Sequence, residues 1–277
     1  MNSKPVIEFD NVSWTYEGET DPAIDSVSLS IKPGESVGIV GSNEQGKTTL
    51  ARCMNGLIPY SHMGVLDGTV RIDGEDVTDL SQSDIARTVG MVFSDPEAQF
   101  TSMSVEEELL FGLENLGLDL DEIEQRLDWI CERLDLTPLL DSPPYDLSGG
   151  QKQRVAIGSV MVMQPEVIVL DEPTSMLDPV SKREIFDLLD ELREEQDLTM
   201  VVIEHNLQQL LPRVDRIIHL KQNTVHFAGE TQQFVNQYNY DEGDVYMPEV
   251  AQLFARRTEG SAEDIPYMLD TALELEA

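Results

Sequence analysis

The sequence predicts an α/β protein built on a mostly parallel sheet covered on both faces. Three observations carry this. Ser36–Val40, Val167–Leu170 and Thr199–Ile203 are short apolar runs of the kind that lie fully buried in a sheet. Stretches with helical spacing, such as Ser181–Glu195, stand between such runs. Strands that alternate with helices imply parallel pairing through crossovers.

The elements follow in order. Val6–Tyr16 mixes β-formers with partial alternation and reads as an N-terminal strand. Ala23–Ile31 reads as a second strand, closed by the turn Lys32-Pro-Gly-Glu35. A glycine-containing loop follows Ser36–Val40, and Thr48–Gly56 reads as a helix. Gly68–Gly74 is a strand ending in a turn, and Val89–Phe93 is another buried strand. From Val105 to Leu140 apolar residues recur at helical spacing amid acids, which reads as a helical insertion ending at Ser142-Pro-Pro144. Leu147-Ser-Gly-Gly150 then opens a helix from Gln151 to Met163. Asn236–Ala277 is acidic and interrupted by Pro248, Gly260 and Pro266; Val250–Phe254 retains enough apolar character to pack, so a small helical appendage is expected. Residues 1–235 thus form one domain, with a helical insertion at about 95–160, and residues 236–277 form a C-terminal extension.

Composition narrows the function. Of 277 residues, 18 are Lys or Arg and 53 are Asp or Glu, a formal net charge of −35, which repels nucleic acid and anionic lipid over the general surface. Such acidity suits either simple solubility or a salt-rich cytoplasm. The most apolar stretch, Val155–Leu170, is broken by Gly158, Ser159, Gln164, Pro165 and Glu166, so no membrane span is expected. No secretory signal is visible, and Cys53 with Cys131 cannot supply a disulfide framework. A cytoplasmic protein is expected, touching a membrane only through a protein partner.

Three motifs carry chemistry. Gly41-Ser-Asn-Glu-Gln-Gly-Lys-Thr48 matches the P-loop pattern between a buried strand and a helix. Its backbone N–H groups (Gly41, Ser42, Asn43, Gln45, Gly46, with Thr49 just inside the helix) form a concave anion site. Lys47 would reach the outer phosphates of ATP, and Thr48 would place its hydroxyl on Mg²⁺. Val167–Glu172 puts two carboxylates at the C-terminal end of a buried strand, where ligands of open α/β sheets gather. Asp171 would hold Mg²⁺ and Glu172 would act as general base toward water. Leu147-Ser-Gly-Gly-Gln-Lys-Gln-Arg154 is a second anion-binding helix start, through Ser148, Gly149, Gly150 and Gln151. Two such sites make sense if each protomer lends the second to its partner's ATP.

With these motifs the chain resembles the ATP-binding-cassette (ABC) ATPases over about residues 5–235. The resemblance implies a P-loop NTPase fold: a RecA-like parallel sheet core with an antiparallel β-subdomain, a helical subdomain and a short C-terminal extension. Tyr16 is similar to the aromatic that stacks on adenine, Leu147–Gln151 to the signature sequence, and Ser175-Met-Leu-Asp178 to the D-loop that crosses the dimer interface. His205 looks like the switch histidine that contacts the γ-phosphate. Val92–Gln99, Val105–Gly117 and the C-terminal extension resemble the energy-coupling-factor class of importers, whose members work with a second ATPase protomer, a transmembrane coupling subunit and a substrate-binding membrane subunit. The resemblance implies ATP and Mg²⁺ as cofactors, a place on the cytoplasmic face of the membrane, and uptake of a vitamin or metal ion.

Two positions depart from the family pattern. Ser94 stands where a Q-loop glutamine is expected, with Gln99 five residues on, and Glu44 stands where the P-loop normally has glycine. Either would slow turnover, which keeps a slowly hydrolysing regulatory cassette as an alternative. A soluble ABC ATPase of repair or translation is the other; it calls for a long coiled-coil insertion or two cassettes in the chain. His62, His219 and His226 lack metal-ligand spacing, and Trp14, Trp129, Met161 and Met163 read as packing residues.

Overall fold

The computed structural model describes residues 4–241, 243–257 and 265–268. Its strands are β1 Ile7–Tyr16, β2 Ile24–Ile31, β3 Ser36–Val40, β4 Gly64–Ile72, β5 Glu75–Asp76, β6 Val89–Val92, β7 Val167–Asp171, β8 Thr199–Ile203, β9 Arg216–Lys221 and β10 Thr224–Glu230. The helices are α1 Lys47–Met54, α2 Leu57–Tyr60, α3 Gln82–Thr88, α4 Val105–Leu116, α5 Leu120–Arg133, α6 Gly149–Met161, α7 Pro179–Gln196, α8 Leu207–Leu210, α9 Thr231–Gln237 and α10 Glu249–Arg257.

The central sheet has the order β10-β9-β3-β8-β7-β6 and is parallel from β9 to β6, with β10 antiparallel at one edge. A second, antiparallel sheet has the order β2-β1-β4-β5. Strand alternation divides the core of the central sheet. Ile168, Leu170, Met200 and Val202 join one cluster with α6 and α7; Val167, Val169, Val201 and Ile203 join the other with α1 and the antiparallel sheet. Residues 36–40, 167–171 and 199–203 are buried on both faces, which is why they read as unbroken apolar runs.

Helix starts are locally encoded. Ser104, Asp119, Ser148 and Asp178 each accept a backbone N–H in the first turn of α4, α5, α6 and α7, contacts that stabilise a helix by about 1 kcal/mol apiece. Three glutamates in the first turn of α4 add a favourable interaction with the helix dipole. Trp14, expected as a packing residue, is buried, and Trp129 packs partly buried against the core. The β9–β10 hairpin was not foreseen: β10 alternates only between exposed and half-buried residues, so its apolar signal is weak. Within the C-terminal segment, α10 buries Ala251 and Ala255; Gly260 and the residues from 269 onward lie outside the described residues.

Candidate active site

The loop between β3 and α1 is shaped by glycines that its own chain requires. A Cβ on Gly41 (φ +148°) would fall 2.4 Å from the carbonyl oxygen of Leu220, and one on Gly46 (φ +86°) 2.2 Å from that of Ala23. Glu44 also takes a left-handed backbone, φ +63°, which costs a non-glycine residue about 1 kcal/mol. Lys47 turns back over the loop, its Nζ donating to the carbonyls of Gly41 at 3.0 Å and Ser42 at 2.7 Å. Burial pushes its ammonium below the usual lysine range, while Glu172 and Asp171 pull the other way. Thr48 Oγ1 donates to Asp171 Oδ1 at 3.3 Å, and burial pushes the Asp171 carboxyl above its usual range against that bond. Gln45 Oε1 accepts from the backbone N of Gln222, so the β9–β10 turn braces the loop.

A cavity of about 700 Å³ opens over this loop. Tyr16, Asn43, Gly46, Lys47, Thr48, Thr49 and Glu172 line it, together with Glu19, Asp21, Glu44 and Asn223. Tyr16 is held by its hydroxyl, which lies 3.1 Å from Thr49 Oγ1, and the Tyr16 hydroxyl accepts from Arg52 Nη1 at 3.3 Å. Glu172 follows β7 with φ +51°, its N donating to Ile203 O at 3.0 Å, and its Oε1 lies 2.8 Å from His205 Nε2. The structure thus brings the P-loop, the two strand-end carboxylates, Tyr16 and His205 to one place.

Sequence reasoning missed Glu19, Asp21, Asn223 and Glu204. Glu204 is buried; Thr174 Oγ1 donates to its Oε1 at 2.6 Å, and burial pushes its carboxyl up. An acid continuing the apolar run of Thr199–Ile203 was the available signal. Asn223 reaches the cavity only because the β9–β10 hairpin folds back, which no local pattern shows.

Ser148, Gly149, Gly150, Gln151 and Asp178 lie elsewhere, around an open recess of about 640 Å³ that shares no lining residue with the first. Ser148 and Gln151 form a reciprocal capping box at the start of α6. Asp178 caps α7, accepting from Val180 N at 2.9 Å and Ser181 N at 3.2 Å, and these bonds with the Ser181 hydroxyl hold its carboxyl below the usual range. Neither Ser94 nor Gln99 lines either recess. The Gln99 amide is used inside the chain: Oε1 accepts from Phe93 N at 3.2 Å, and Nε2 donates to Ala156 O at 3.1 Å. Gln99 instead borders a groove of about 650 Å³ that Phe93, Phe111 and Met163 also wall. Buried Glu108, which also lines the groove, accepts from Thr101 N at 2.9 Å and Ser102 N at 2.8 Å.

The donor set fits a phosphate ester with a hard divalent cation. Lys47 is a buried ammonium that an anion would stabilise, and Asp171 is a buried carboxyl that a cation would stabilise. No cluster of three His, Cys, Asp or Glu side chains suited to a metal exists among the described residues. A cation here would therefore draw on Thr48, Asp171, phosphate oxygens and water, the pattern usual for Mg²⁺.

The chain belongs to the ABC transporter family, whose model matches residues 24–175. It is 38% identical over 242 residues to the energy-coupling factor transporter ATP-binding protein EcfA1 of Bacillus licheniformis, covering 87% of this chain and 84% of the relative. A Streptococcus mutans protein carrying an ABC transporter ATP-binding name is 41% identical over 227 residues; these cover 82% of this chain but only 41% of that longer relative. Among solved structures, cbiO1 of Clostridium perfringens, part of the ABC transporter complex cbiONQ, matches with a TM-score of 0.76 at 27% identity, covering 99% of this chain and all of that one. No helix among the described residues is long and apolar enough to cross a membrane.

Proposed function

We propose that the chain binds and hydrolyses ATP as the motor subunit of an energy-coupling-factor importer, on the cytoplasmic face of a membrane. The observation that carries the reading is the geometry at the cavity: Lys47, Thr48 and Glu172 line it, Thr48 is bonded to Asp171, and Glu172 is paired with His205. The P-loop amides and Lys47 would bind the phosphates, and the Tyr16 ring would stack on the base. Mg²⁺, held through Thr48 and Asp171, would neutralise charge developing on the transferred phosphoryl group. Glu172 Oε1 accepts the proton of the attacking water, and His205 keeps that carboxylate aimed.

A head-to-tail pair of protomers would set the Ser148–Gln151 recess of one chain against the phosphates bound by the other. Two recesses on one chain, each led by a helix N-terminus, support this arrangement. The groove beside Gln99 and exposed Phe111 offers a seat for a membrane subunit. Likeness to EcfA1 and cbiO1 supports the importer class, with a coupling subunit and a substrate-binding membrane subunit as further partners, and a vitamin or metal ion as cargo.

The test has two parts. Purified chain should hydrolyse Mg-ATP, and Glu172→Gln should lower the rate by at least about a hundredfold while leaving binding intact. Near-normal hydrolysis in that variant would refute the assigned base. Purification from native membranes should bring down two integral membrane proteins; recovery with ribosomes or DNA instead would refute the importer reading.

A further inference from the structure

The C-terminal extension meets the phosphate loop and the segment that follows His205, two points that belong to different parts of the chemistry. Ser42 Oγ, in the phosphate loop, donates to the backbone carbonyl of Asp244 at 3.1 Å. Two residues on, Tyr246 pairs with Asn206 as a parallel β-bridge, and Leu207 N donates to Tyr246 O at 3.2 Å. The first contact sits on the residue whose carbonyl accepts from Lys47 Nζ at 2.7 Å. The second sits directly after His205, which is bonded to Glu172. One short strap therefore spans from the phosphate-binding lysine to the residue that aims the base.

The strap is itself anchored. Tyr238, at the end of α9, is buried; its hydroxyl donates to Asp244 Oδ1 at 2.7 Å and accepts from Val245 N at 3.0 Å. His219 Nε2 lies 3.2 Å from Asp244 Oδ2, poorly aligned for a hydrogen bond but close enough for electrostatic contact. His219 is paired in register with Val40, the last residue of β3 before the phosphate loop. The same sheet that launches the loop thus also fixes the strap. An appendage that only enlarged the core would not need its polar groups directed at Ser42 and Leu207.

We infer that Asp244–Tyr246, anchored by Tyr238, is a positioning element of the ATP site that holds the phosphate loop and the His205 segment in one register. This rests on the ATP reading above. Tyr238 acts through Asp244 on Ser42 and touches no substrate.

The test is a double-mutant cycle in the full chain, read by Mg-ATP titration. Tyr238→Phe keeps the buried ring and removes the hydroxyl; Ser42→Ala removes the loop's donor to the strap. Each single variant should weaken Mg-ATP binding by about fivefold, the size of one lost hydrogen bond, and the double variant should be no weaker than Ser42→Ala alone. Asp244→Ala, which removes both anchors of the carboxylate, should match Tyr238→Phe or exceed it. Purely structural roles would lower the melting temperature while leaving affinity unchanged, or give independent, multiplying losses; either result overturns the strap and leaves the ATP reading standing. Failure of the unaltered chain to bind Mg-ATP would overturn both.

Discussion

The molecule has two glycine-led helix starts, and they differ in what their glycines are for. At the phosphate loop, Gly41 and Gly46 are demanded from within: both have positive φ, and an added Cβ would strike the backbone of Leu220 or Ala23. At the start of α6, Gly149 and Gly150 have no positive φ, and an added Cβ would meet its nearest neighbour at an ordinary 3.6 Å or 3.5 Å. The Ser148–Gln151 capping box satisfies the N–H groups of those two residues and leaves those of Gly149 and Gly150 for another acceptor. The chain's own packing explains the first pair of glycines and does not explain the second. The absence of side chains at Gly149 and Gly150 leaves room at this helix start, which suits the proposed approach of a partner protomer's phosphates.

The comparison makes opposite demands on two substitutions. Gly149→Asp places a carboxylate where a partner's phosphates would sit, so hydrolysis should fall by about a hundredfold, while the helix start tolerates the acid. Melting temperature and the ATP affinity of the isolated protomer should stay near wild type. Gly46→Ala should instead lower both the melting temperature and ATP affinity, the latter by about tenfold or more, because its methyl meets the Ala23 carbonyl. If Gly149→Asp unfolds the chain, or Gly46→Ala binds ATP normally, the distinction collapses.

Glu44 tests the phosphate loop more gently. Its left-handed backbone and its charge both oppose a loop that must hold phosphates. Glu44→Gly should tighten Mg-ATP binding several-fold, by about 1 kcal/mol, most clearly at low salt. Glu44→Gln separates the causes by removing charge alone, and titrations showing no gain in either variant would mean that neither cause acts on the ligand.

The smallest expected effect concerns pH, on the phosphate-loop side only. Burial holds His219 below the usual histidine range, with Asp244 opposing. Below about pH 6.5 the unfolded chain then binds a proton that the folded chain does not, so this contribution is present above that pH and lost as pH falls. His219→Phe should flatten the decline in melting temperature between pH 7 and 5 by about 2–4 °C. An unchanged slope in calorimetry would remove His219 from the account.

Much of this was legible in the sequence because it is local. Residues 36–40, 167–170 and 199–203 announce themselves as buried strands, and Ser148 as the start of a helix, from immediate neighbours. The P-loop pattern placed Lys47 and Thr48 where the structure has them. Contacts between distant parts of the chain were not legible. The bond from Ser42 to Asp244 spans 202 positions, and Asn223 enters the cavity by way of a weakly patterned hairpin. Gln99 shows the same limit from the other side: its place five residues after the Q-loop position does not reveal that its amide bonds to Phe93 and α6.

The central claim is that a complete ATP site needs two chains, each closing the other's phosphate loop with Ser148–Gly150. Glu172→Gln isolates it by blocking hydrolysis after closure. Its mass by light scattering should be that of one chain without nucleotide and of two chains with Mg-ATP, and adding Gly149→Asp should abolish the shift. A Glu172→Gln protein that binds ATP at saturation and remains a single chain would contradict the account.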